Sequence, residues 1–180
     1  MRARCCRCAG RTCCGWRGWR SDRKGQALTE PYDSKADTLQ HIDTVRFYIA
    51  GFKDDLTVRA LNHDASKLVS PEKEAYDVLT PRLRGLTYGS DEYRASLREM
   101  KPAIQHHYEH NSHHPEHYPN GVADFDLLDL VEMLCDWKAA SLRHADGDIL
   151  ASIEHNVGRF NLDPQVASIL RNTVQRMGWV

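Results

Sequence analysis

From Lys35 onward the apolar residues recur every three or four positions, with no stretch that alternates every second residue and no internal repeat. That period belongs to helices, whose i, i+3 and i+4 side chains share a face. This part of the chain is therefore expected to fold as an all-α bundle of about six to seven helices. The first helix, "KADTLQHIDTVRFYIAGF", lines up His41, Val45, Tyr48 and Phe52 on one stripe, which turns His41 toward a core. A second, "DDLTVRALNHD", puts His63 on the side of Leu56 and Ala60. Ser70 and Pro71 read as the N-cap and first turn of a third, and Asp91 to about His107 forms a fourth, interrupted by Pro102.

The stretch from about Phe125 to Ala145 is apolar round most of its circumference, the pattern of a helix central to its fold. Its exception is a narrow stripe of Asp129, Glu132 and Asp136, continued by Arg143. Two further helices, about Asp148 to Phe160 and Asp163 to Met177, complete the set, the last opened by Asp163 and Pro164.

Charge and cysteine separate a head from this body. Residues 1–25 hold eight Arg and Lys against one Asp, leaving 16 basic and 24 acidic side chains in the rest. An acidic body argues against nucleic acid as the main partner. Five of six cysteines lie between Cys5 and Cys14, at spacings unlike the usual C-x-x-C zinc knuckles, and the sixth, Cys135, sits alone in an apolar stretch. Residues 1 to about 30 are accordingly expected to be a disordered extension, with residues 31–180 as the functional domain. No apolar run approaches the roughly 20 residues that span a bilayer, and the N-terminus lacks the apolar core of a secretory signal. The expected location is the cytoplasm, with no membrane partner.

The body's chemistry concentrates in histidine. "HHYEHNSHHPEHY" holds six of the chain's ten within twelve positions, where an even scatter would place fewer than one. Taken singly, His41 is a core histidine, Asp136 half of an ion pair, and Lys67 a surface lysine. Taken together they strain that account, because burying an imidazole and a carboxylate without partners is costly, whereas one shared cation satisfies both. The adjacent pair His63-Asp64 at a helix end is suited to direct a ring nitrogen and a carboxylate oxygen at such an ion.

The order His41, His63-Asp64, His106/His107, His113/His114, Asp136 resembles the H…HD…H…H…D signature of the HD-domain superfamily of metal-dependent phosphohydrolases, over about residues 35–145. "HDASKLVSPE", "HHYEHNSHHPEHY" and "EMLCDWKAAS" are similar to three motifs of a small uncharacterised HD-like branch from bacteria and phages, a domain of unknown function. The resemblance implies an HD-like helical bundle holding one or two divalent transition-metal ions. Its metal ligands would be His41, His63, Asp64, His107, His114 and Asp136, with the choice within each histidine pair left open. Mixed imidazole and carboxylate ligation suits Mn, Fe, Co, Ni or Zn.

The implied reaction is hydrolysis of a small-molecule phosphoester, such as a nucleotide, by a metal-activated water. Asp64 would bridge two ions about 3.5–4 Å apart. Lys67 would stabilise phosphoryl charge, His106 or His113 would protonate the leaving oxygen, and Glu132 would orient a liganding histidine. Two other readings use the same ligands: a mixed-valent di-iron oxygenase of the myo-inositol oxygenase type, and a non-catalytic binding module stabilised by its metal. Substrate identity and oligomeric state have no motif in the sequence.

Overall fold

The computed structural model describes residues 32–86, 90–143 and 147–180. The extension expected over residues 1–30 lies outside them. The chain divides into two units after Ile42. The described residues are all-helical: α1 (Lys35–Asn62), α2 (Glu72–Arg84), α3 (Asp91–His110), α4 (Leu127–Ser141), α5 (Ile149–Phe160) and α6 (Pro164–Arg176), with three short 3-10 turns and no strand among them.

The expected first and second helices are one. Nothing between Phe52 and Asp54 breaks the ladder, and α1 runs through 28 residues with none buried. Its apolar residues are spread round the circumference, with Phe47, Val58 and Leu61 exposed off the stripe of Val45 and Phe52. The stripe does not face a core, and His41 is exposed, correcting its expected inward orientation.

The core belongs to the C-terminal helices. Met133 and Leu134 of α4 pack with Ile149 and Ile153 of α5, Leu170 and Val174 of α6, and Leu162 from the α5–α6 turn. Each of these helices starts from an aspartate that accepts backbone N–H bonds. Asp126 takes the amides of Leu128 and Asp129, Asp148 that of Leu150, and Asp163 that of Gln165, with Pro164 in the first turn. The Asp126–Asp129 capping box fixes where α4 begins, and so the height at which Glu132 and Asp136 project. Asn161, in the left-handed conformation, ends α5 and turns the chain into α6.

The α2 and α3 helices form a second packed pair, with Leu79, Met100 and Ala103 buried. Pro102 lies inside an uninterrupted α3. The α2 cap is Pro71, with no side-chain hydrogen bond, in place of the expected Ser70. No helix among the described residues is long and apolar enough to cross a membrane.

Candidate metal centre

At the end of α1 the chain turns sharply. Asp64 adopts the left-handed conformation (φ 57°), which Asp tolerates better than most residues, and a 3-10 turn over Ala65–Leu68 follows. This turn brings the Asp64 carboxylate to the C-terminal end of α3. His106 and His107 lie where α3 enters its last turn, and His113 and His114 lie just beyond the helix, so the histidine-rich stretch is half helix and half turn.

Ligand atoms of Asp64, His107, His113 and His114 all lie within 4.8 Å of one another. The Nε2 atoms of His107 and His114 are 2.9 Å apart, and Asp64 Oδ1 is 3.2 Å from His107 Nε2. Two nitrogens at metal-ligand distances of about 2.0–2.1 Å and a right angle would be separated by about 2.9 Å, so these spacings match the edges of a coordination shell. Asp64 Oδ1 and His113 Nε2 are buried, 3.7 Å apart, and make no hydrogen bond. A buried polar atom without a partner is costly, and a cation in this position would satisfy both.

A second layer aims these rings. Glu72, fully buried at the start of α2, accepts from His106 Nδ1 at 2.8 Å and His107 Nδ1 at 2.9 Å. Glu132 Oε1 accepts from His63 Nδ1 at 2.9 Å and lies 3.1 Å from His113 Nδ1. A carboxylate only accepts, so the Nδ1 atoms carry the protons and the Nε2 atoms are left facing inward. His63 Nε2 then lies 3.7 Å from Asp64 Oδ2 and 3.8 Å from Asp136 Oδ1. His63, His113 and Glu132 also converge closely enough to form a cation group of their own, but the two Nδ1 contacts cast Glu132 as the orienting residue.

Arg59, one helical turn before His63, donates to Asp129 at 2.8 Å and to Glu132 at 2.9 Å. Asp129 is almost fully buried and also accepts from Ser112 and Tyr118. The acidic stripe of α4 is therefore an internal anchor: Asp129 locks Arg59, Arg59 locks Glu132, and Glu132 orients two histidines.

Protonation follows from burial and charge. Burial works to raise the Asp64 carboxyl, but the Lys67 ammonium, 2.7 Å away, helps to hold it well below the usual carboxylate range. Burial pushes His114 down to about 3, aided by His113 and His107, and burial with the nearby His63 also pushes His113 down. These rings are neutral near pH 7, the form that ligates metals.

Of the residues the sequence singled out, Asp64, His107, His114, His63 and Asp136 come together here, with Lys67 at the edge. Two expectations are corrected. His113, expected as a proton donor, sits among the ligand atoms, because the turn after α3 buries its ring beside Glu132. His106 points to the far side of Glu72, stacks on His110 at 4.0 Å, and joins neither cation group. His41 joins neither as well. The motif "HDASKLVSPE" ends on Glu72 but gives it no role, since an acid in a first helical turn fits the helix dipole, and Arg59 reads as an ordinary basic residue near a helix end. The one available signal for Arg59 is its four-residue spacing from His63, which puts both on one face.

No curated protein and no solved structure matches the chain. Residues 30–176 match a family of unknown function, DUF5662, and with that match covering most of its length the chain belongs to this family.

Proposed function

We propose that this protein is a metal-dependent phosphohydrolase of the HD type, using one or two divalent transition-metal ions to cleave a small-molecule phosphoester. The observation that carries the reading is the buried, unpartnered pair Asp64 Oδ1 and His113 Nε2 amid the Nε2 atoms of His107 and His114. When bound, the metal would lower the pKa of a water and polarise the phosphoryl group. Asp64, His107, His113 and His114 would hold one ion, and His63 with Asp136 would hold a second beside the shared Asp64 carboxylate.

The remaining work falls to the chain's own groups. Glu132 and Glu72 keep the Nδ1 protons of the ligand rings occupied, so the lone pairs stay aimed at the cation. Lys67, held by Asp64 at the partly exposed edge, is placed to meet charge developing on the phosphoryl oxygens. His41, exposed on α1, has no part in this assignment.

The test is metal analysis of the purified chain, followed by a phosphoester screen with Mn, Co, Fe and Ni. Stoichiometric metal and released phosphate, both lost in Asp64→Ala, are the expected results. Absence of bound metal after reconstitution would refute the reading. Iron with a half-reduced electron-spin signal and oxygen uptake, without phosphate release, would replace it with an oxygenase.

A further inference from the structure

On the side of His63 and Asp136 the candidate site borders an apolar cavity of 490 Å³, within the size range of small-molecule sites. Leu56 and Ala60 of α1 form one wall, and Val131, Cys135 and Ala139 of α4 form the other. Polar groups gather at one end only, where His63, Asp136, Glu132 and Arg59 line it. Two of these are already engaged: Glu132 accepts from His63 and Arg59, and Arg59 is divided between Asp129 and Glu132. A ligand with its anionic group on an ion held by His63 and Asp136 would lay the rest of its body along aliphatic side chains. The walls present no amide or hydroxyl side chain to read a base edge or a sugar.

A second cavity, of 260 Å³, meets the cluster at Asp136 and His114 and is lined by polar groups of α5, including Ser152, His155 and Arg159. It is about half the size of the first, and the Arg159 guanidinium is bound to Glu116 at 2.6 Å.

Building on the phosphohydrolase reading, we infer that the larger cavity takes the body of the substrate, and that the substrate is a phosphoester of a hydrophobic alcohol. A nucleotide or sugar phosphate would instead need the polar cavity. Each methylene buried against apolar walls strengthens binding about fourfold, so chain length is the variable to scan.

The full-length chain, with and without manganese, is titrated calorimetrically with methyl-, propyl- and hexylphosphonate, which cannot be hydrolysed. Turnover of the matching alkyl phosphates is followed beside that of adenosine monophosphate and glucose 6-phosphate. The expected result is affinity and kcat/KM rising about fourfold per methylene, with the slope flattened in Ala139→Phe, whose ring fills the cavity. A flat series in the unmodified chain overturns the inference, and so does a slope that survives Ala139→Phe or a preference for either polar ester. Should Ala139→Phe fail to fold, the unmodified series decides alone. A rising affinity series with no ester hydrolysed would overturn the phosphohydrolase reading while supporting the cavity assignment.

Discussion

His113 Nε2 lies 3.7 Å from Asp64 Oδ1, and both atoms are buried without a hydrogen-bond partner. Each comes from a different element, Asp64 from the turn after α1 and His113 from the turn after α3. Their convergence is a property of the fold, and it makes the proposed metal binding open to direct measurement.

The first prediction concerns stability. Adding Mn, Ni or Zn to metal-free protein should raise Tm, with a stabilisation of about 2.7 kcal/mol when free metal is a hundred times Kd. His113→Ala should abolish most of that gain. Thermal unfolding with and without metal checks it, and an equal gain in the variant would remove His113 from the site.

Histidine position gives a second prediction. His41→Ala and His106→Ala should retain full metal content, since both side chains lie outside the convergent groups. Loss of metal in His41→Ala would restore the sequence-based ligand assignment over the structural one. Elemental analysis of the two variants settles the point.

The orienting carboxylates can be tested without changing size. Glu132→Gln and Glu72→Gln should each weaken metal binding by about 10–100-fold, the usual cost of losing a residue that orients a ligand. Competition with a coloured chelator reads this. Unchanged affinity in both would mean that the Nδ1 contacts do not set ring orientation.

Lys67→Ala should spare metal content but lower turnover by about 10²–10³-fold, comparable with losing one electrostatic stabiliser of a transition state. Metal analysis beside a rate assay separates the two effects, and a matching loss of metal would assign Lys67 to holding Asp64.

The metal-free protein should lose stability as pH falls. His113 and His114 have folded pKa values below that of a free imidazole, so below about pH 6.5 the unfolded state binds protons that the folded state does not. Each ring lowers the folding constant by at most about tenfold per pH unit, down to about pH 3 for His114. From about pH 4 downward, the depressed Asp64 carboxyl acts in the same direction. Denaturant titrations at pH 7 and pH 5 should show the drop, and His114→Asn should reduce it.

The sequence by itself determined the helical class, the Asp163-Pro164 start of α6, and the order of residue types able to ligate a metal. These are local properties: three- to four-residue periodicity, an Asp cap, Pro in a first turn, and an adjacent His-Asp pair. Only the tertiary structure decided which histidines meet. His106 and His107 are adjacent in sequence, yet a rotation of about 100° per helical residue sends one ring to each side of Glu72. His41 carried the right spacing for a core stripe, but a stripe becomes a core only when another helix covers it, and α1 has no buried residue. The acidic stripe of α4 is visible in the sequence, but its burial is not. Its burial depended on Arg59 arriving from a helix some 70 residues earlier, a contact that no local pattern encodes.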